Sequence, residues 1–265
     1  MPLDQFHVPG LDTAENDAEN VLIVDCLAQS GVDWPVAPSD IDEAVTRHAA
    51  TTTWSNIPLM TEAVAAKWGY HEADDPVKRA ARIAAFKKTN AAATATPGFD
   101  ALFRPCLDAA RKKLPGGSAD SVNRLNHYVW EARGAAARQP AVRAAAKKWR
   151  ECLSSAGYAG MPDDPSDVST GMPTPELREQ AGIPTDGAGD GAPLAPITPQ
   201  ETALALADVA CRDSSGWTKT QYAAEWDEEV KIVQKNADRL TRAHDADLAA
   251  MKKYLAVIAA HPAKQ

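Results

Sequence analysis

The sequence predicts an all-α protein, a helical bundle of about nine to ten helices that ends in one long helix and is stapled by two disulfides. Three observations predict it. Alanine is abundant and runs in blocks, Ala135 to Ala137 and Ala144 to Ala146, while the β-branched and aromatic alternation that strands favour is almost absent. Proline and glycine divide the chain into helix-length segments. Four cysteines, Cys26, Cys106, Cys152 and Cys211, stand too far apart for a CxxC metal or redox pair.

Taken in order, the first helix is expected from about Asn16 to Ser30, with Val21, Leu22, Val24 and Leu27 apolar and Gly31 as its stop. Ser39 and Asp40 cap a second. A third follows Pro58 and ends at Gly69, and Asp75-Pro76 opens a fourth that runs through a basic stretch to about Ala92. A fifth begins near Pro105 and stops at Pro115-Gly116-Gly117. Asp120 to Arg138 form a sixth, and Pro140 starts a seventh that ends at Gly157. From 158 to 197 the chain is Pro- and Gly-rich, with one short helix after Thr174-Pro175. Helical order resumes at Thr198-Pro199-Gln200-Glu201, which combines an N-cap, an N1 proline and a capping-box glutamate.

The last helix is expected over 219–260. Trp226, Val230, Val233, Ala237, Leu240, His244, Leu248, Met251, Leu255 and Ile258 recur at steps of three or four, which predicts one packed seam. Glu225, Asp227, Glu228 and Glu229 near its beginning, with Lys252 and Lys253 near its end, suit the helix dipole. The chain divides on this reading into an N-terminal helical half, 1–138, and a C-terminal helical half, 139–265.

A net charge of −8 favours solubility and speaks against unspecific nucleic-acid binding. Acids fill Asp4 to Glu43 without a Lys or Arg. Basic stretches follow at Lys78, Arg79, Arg82, Lys87 and Lys88, and again at Arg143, Lys147, Lys148 and Arg150. Such stretches form solvated helix faces or meet the acidic region, within the fold or in a partner. No stretch approaches the roughly 18 apolar residues of a membrane span. The opening residues, MPLDQFHVPG, lack the basic and apolar regions of a signal peptide, as expected of a cytosolic protein or of a mature chain given a new Met1.

The surroundings of two cysteines repeat. Asp25-Cys26-Leu27-Ala28-Gln29-Ser30-Gly31 is matched by Glu151-Cys152-Leu153-Ser154-Ser155-Ala156-Gly157, and Pro38-Ser39-Asp40 by Pro165-Ser166-Asp167. Each repeat is followed by one more helical cysteine, Cys106 or Cys211. Four cysteines allow three pairings. Related halves select Cys26 with Cys106 and Cys152 with Cys211, which places the chain in an oxidising compartment.

Four elements carry a resemblance: Asp25-Cys26-Leu27 with Gly31; Lys67-Trp68-Gly69-Tyr70-His71; Trp149-Arg150-Glu151-Cys152-Leu153 with Gly157-Tyr158; and Ala205-Leu206-Ala207-Asp208-Val209-Ala210-Cys211. With them the chain resembles a group of exported, Ala-rich, often lipid-anchored actinobacterial proteins of unassigned activity. The resemblance implies an extracytoplasmic location and carries over no catalytic residue. The lipid-attachment cysteine such proteins often have at their start is missing, which fits a chain trimmed before the mature domain.

Signatures of chemistry are absent: no GxSxG, P-loop, GxGxxG, HExxH or ExxH occurs. No catalytic residue, metal ligand or cofactor is assigned. The acids of 186–191 and Asp163, Asp164 and Asp167 read as linker, and His244 as a satisfied core histidine. Candidate binding residues are Trp34 and Trp54, in predicted loops, and Trp217, just ahead of the long helix; loop tryptophans either stack on ligands or anchor the core. The expected function is a non-enzymatic, extracytoplasmic binding or interaction module of the cell envelope, its partner an envelope protein or ligand. The alternatives are an enzyme assembled from scattered groups, His71 with Glu72 or His127 with Glu131, and a cytosolic protein that oligomerises through its final helix.

Overall fold

The computed structural model describes residues 1–46, 61–71, 74–166, 172–183 and 196–261. Among the described residues there are ten α-helices and no strand: α1 (Leu11–Gln29), α2 (Ile41–Thr46), α3 (Glu62–Trp68), α4 (Pro76–Ala95), α5 (Phe99–Lys113), α6 (Ser118–Ala137), α7 (Pro140–Ser155), α8 (Pro175–Ala181), α9 (Pro199–Ser215) and α10 (Trp217–Ala260). Disulfides join Cys26 to Cys106 and Cys152 to Cys211, and no cysteine is free.

Local chemistry explains most boundaries. Thr61, Asp75, Thr174 and Thr198 each accept a backbone N–H of the first turn that follows, an arrangement worth about 1 kcal/mol per helix. Two boundaries differ from the sequence reading. α1 begins at Leu11, because Gly10 (φ 75°) turns the chain into a first stretch whose buried Leu11, Ala14 and Ala18 are too interspersed with acids to show an apolar period. α5 begins at Phe99 and carries Pro105 in its interior, where proline forfeits a backbone hydrogen bond at a cost of about 3 kcal/mol. Phe99, Phe103, Leu107, Ala110 and the bond from Cys106 hold that helix against α1 and offset the loss.

The chain gathers into two compact units, and these interleave instead of following the halves 1–138 and 139–265. The first comprises Met1–Gln5, His48–Ala73 and Asn126–Asn236; the second comprises Phe6–Arg47, Asp74–Leu125 and Ala237–Gln265. The interleaving arises because α6 and α10 each contribute residues to both. Each unit holds one disulfide.

The second unit is built on α1 and α5. Ile23, Leu27, Cys106 and Ala110 form one core, and Val8, Leu11, Ala14, Ala18, Leu114, Ala250 and Tyr254 another. Glu15 of α1 caps α6 by accepting the Ser118 N–H at 3.1 Å and the Ser118 hydroxyl. The acidic and basic stretches meet here: Arg82 of α4 donates to Glu43 at 2.6 Å and to both oxygens of Asp74, while Lys78, Lys87 and Lys88 stay exposed. Asp17 is buried and accepts the Ser39 N–H and hydroxyl; burial pushes its carboxyl above the usual range, against the pull of Ser39. His244 is satisfied by the Phe6 carbonyl, 3.2 Å from Nδ1.

The first unit is built on α7 and α9. Trp149, Leu153 and Cys211 form a core beside α3, whose buried residue is Ala65, and α8 adds Leu177 and Ala181, with Ile183 just past its end, against Leu204. The repeated cysteine motifs fold alike. In α1, the Val32 N–H donates to Leu27 O and the Gly31 N–H to Ala28 O; in α7, the Tyr158 N–H donates to Leu153 O and the Gly157 N–H to Ser154 O. Both are Schellman caps that need a residue at positive φ, supplied by Gly31 at 76° and Gly157 at 91°. Leu27 and Leu153 are both fully buried, and in both disulfides the Cα atoms stand 5.6 Å apart. Closing loops of 80 and 59 residues removes about 4 kcal/mol of unfolded-chain entropy apiece.

Inside the first unit α10 faces inward with a different seam from the one its apolar residues predict, whereas inside the second Leu240 is buried and Met251 and Ile258 pack against the core as predicted. Inside the first unit the buried positions are Trp217, Gln221, Ala224, Glu225, Glu229 and Ile232; inside the second they are Leu240, Ala250 and Tyr254. Trp226, Leu248 and Leu255 are exposed. Three of the inward positions are polar, so a period counted on hydrophobic residues locks onto the neighbouring stripe. The helix also starts at Trp217, so the acids at 225–229 lie beyond its first turn, which holds no acid at all. Dipole pairing therefore does not explain them.

Candidate functional site

The richest polar chemistry lies in the first unit, along one face of α9. Glu201, Asp208 and Arg212 are spaced seven and four residues apart, so they share a helix face with Leu204, Ala205 and Val209, and all three are buried. Asp208 accepts four hydrogen bonds: from Trp149 Nε1 at 2.8 Å, Tyr70 Oη at 3.0 Å, and Arg212 Nε and Nη2 at 2.7 and 2.9 Å. Burial and the adjacent Asp208 hold the Tyr70 phenol well above its ordinary range, so it stays a neutral donor. Burial opposes the Arg212 charge, but Asp208 more than offsets it. A carboxylate so saturated has no lone pair left for acid–base chemistry.

Glu201 does not close the expected capping box. Its N–H donates to the Thr198 hydroxyl at 2.9 Å as predicted, but its carboxylate turns to the Tyr70 N–H at 2.9 Å. His71 Nε2 lies 3.2 Å from the other oxygen, close but out of line for a hydrogen bond. Gly69 makes this approach possible: at φ 55°, a Cβ there would sit 2.6 Å from Glu201 Oε1. His71 thus meets a glutamate 130 positions away, while Glu72 lies outside the described residues. His127 and Glu131 are both exposed, and no hydrogen bond or ion pair joins them among the described residues.

The network opens to solvent at Arg212. Its Nε and Nη2 are held by Asp208, and its guanidinium covers the Trp217 ring at 5.0 Å. It also lines a concavity of about 300 Å³ with Asp213, Gly216, Thr218, Lys219 and Tyr222, where α9 turns into α10. Tyr222 is 55 % exposed and pairs with the 42 % exposed Trp226, ring centroids 6.0 Å apart. A third exposed aromatic of the unit, Trp130, is covered on one face by Arg133 at 4.5 Å.

Of the aromatic residues singled out in the sequence, Trp217 lies beneath Arg212 at this concavity and Trp34 falls elsewhere. Trp217 is 6 % exposed and packs against Ala136, Val142, Ala145 and Ala146. Trp34 is half-buried between Phe99 and Phe103, 5.9 and 5.3 Å away. Both serve as core anchors. Trp54 lies outside the described residues. The exposed pair Tyr222–Trp226 was hidden by the assumption that apolar residues at helical spacing face inward. Asp208 had a legible signal: an acid on an apolar helix face, four residues before an arginine. Three of the sequence motifs singled out above, around Tyr70, Trp149 and Asp208, converge in this one network. Among the described residues no group of histidines, cysteines and acids is arranged to hold a metal ion. No family model, curated protein or solved structure matches the chain.

Proposed function

We propose that this protein is a non-enzymatic helical binding module that works outside the cytoplasm, in or near the cell envelope. The observation that carries the reading is the exposed Tyr222–Trp226 pair beside a concavity floored by Arg212, since large aromatics left in solvent next to a cleft are typical of contact surfaces. The compartment is supported by the pairing of all four cysteines and by the resemblance to exported Ala-rich proteins. The absence of catalysis is supported by Asp208, whose two oxygens are taken up by four donors. No described helix is long and apolar enough to cross a membrane.

The test places a photo-crosslinking amino acid at Tyr222 or Trp226, with exposed Val77 as the control position, in cells of the native host. The reading expects the protein in the envelope or medium fraction with both disulfides formed, and a discrete adduct from 222 and 226 but not from 77. Recovery in the cytosol with four free thiols, or equal adducts from all three sites, overturns it.

A further inference from the structure

We infer that the concavity where α9 turns into α10 is a binding site for an oxyanion, a carboxylate or phosphate, borne on a ring that stacks on Tyr222; this rests on the binding-module reading and names its ligand class. The positive end of α10 is unusually bare. Its cap residue is Gly216, which has no side chain to satisfy the first-turn N–H groups, and Trp217 N–H is taken by the Ser215 hydroxyl at 3.3 Å. The N–H groups of Thr218 and Lys219 come next, before the Thr220 N–H returns to Gly216 O. Helices favour acids at this position, yet the first turn of this 44-residue helix holds none and carries Lys219 instead. Dipole and lysine therefore add.

Arg212 supplies an independent observation. It is only 8 % exposed, and the surface it keeps lines the concavity. Asp208 grips Nε and Nη2, which fixes the plane of the guanidinium and leaves the two N–H groups of Nη1 outside the pair. Below it, the Trp217 indole N–H is buried without an acceptor. Backbone N–H groups at a helix start, a preoriented guanidinium and a mobile ammonium make up the donor set that oxyanions take. Asp213 is the one acid lining the concavity and opposes such a ligand; it is exposed, so its charge is well screened. Tyr222 forms an apolar wall on which a sugar or aromatic ring can lie.

Amide NMR of the oxidised, full-length protein tests this with inorganic phosphate, acetate, glucose 6-phosphate and glucose as probes. Phosphate or acetate should shift the Thr218 and Lys219 amides saturably, and which of the two binds tighter identifies the source of the oxyanion. Glucose should not shift them. Glucose 6-phosphate should bind about tenfold tighter than phosphate, an advantage lost in Y222A. K219E should abolish the shifts and D213N should strengthen binding about threefold. Arg212 is left intact because the core depends on it, and unchanged urea midpoints confirm that the surface variants fold. Unsaturable shifts, equal binding of glucose, or undiminished binding by K219E overturns the assignment. If the crosslinks from 222 and 226 persist in that case, the site binds a partner of other chemistry and the module reading survives.

Discussion

Replacing Asp208 by alanine probes the network on which α3, α7 and α9 converge. The substitution leaves Arg212 as a buried cation without its counter-charge, which by itself costs about 3–5 kcal/mol. It also strands the Trp149 N–H and the Tyr70 hydroxyl, each worth about 1–3 kcal/mol when left without a partner. Relaxation and water entry overlap these terms, so a total loss of about 5 kcal/mol is expected, a large part of the roughly 5–15 kcal/mol of a typical domain. D208N keeps one acceptor oxygen but turns the other into an amide NH2 that faces donors, and it also removes the charge, so it should cost nearly as much, about 3–5 kcal/mol. The double variant D208A/R212M removes the stranded cation and should regain about 2 kcal/mol relative to D208A. Urea unfolding followed by tryptophan fluorescence reads all three and the R212M single. A loss below about 1 kcal/mol in D208A, or a double variant that costs the sum of the two singles, would refute the claim that Asp208 organises the core.

Glu229 is 1 % exposed, and burial pushes its carboxyl up to about 7 from 4.5, with the Leu3 N–H pulling down and Glu225 and Asp4 pushing up. Its neutral form is favoured in the folded state. The stability it contributes is therefore complete below pH 4.5 and lost as pH rises through about 7. Screening and relaxation bring that loss to about 1–2 kcal/mol. E229Q should match the native chain at pH 4.5 and exceed it by that amount at pH 8 in urea midpoints; parallel pH profiles would exclude the assignment. Gly69→Ala should cost about 2–4 kcal/mol through positive φ and displacement of Glu201, and a midpoint within 0.5 kcal/mol of native would show that the contact is slack. Trp34→Ala should cost about 3 kcal/mol, whereas Trp226→Ala should change stability by less than about 1 kcal/mol. Equal losses would mean that α10 buries the opposite face.

Helix positions were legible where local chemistry decides them. Thr198-Pro199, Asp75-Pro76, Gly31 and Gly157 mark boundaries because caps and positive φ act within a few residues. The cysteine pairing was legible because the motif is written twice. The α10 seam was legible only near Leu240, Met251 and Ile258; in the first unit Gln221, Glu225 and Glu229 face inward among polar partners and no hydrophobic count registers them. The candidate site was hidden for a related reason. Tyr70, Trp149 and Asp208 are far apart in the chain, and only the packing of α9 against α3 and α7 brings them together. The interleaved units were equally invisible, since nothing in α6 or α10 marks where either passes from one to the other.

Peptide mapping of the unreduced protein tests the central claim, that two compact helical units are each braced by their own disulfide. Digestion and mass spectrometry should recover Cys26 linked to Cys106 and Cys152 linked to Cys211, with no alkylation before reduction and four alkyl groups after it. Thiols that react in the native protein, or a peptide joining Cys26 or Cys106 to Cys152 or Cys211, would contradict it.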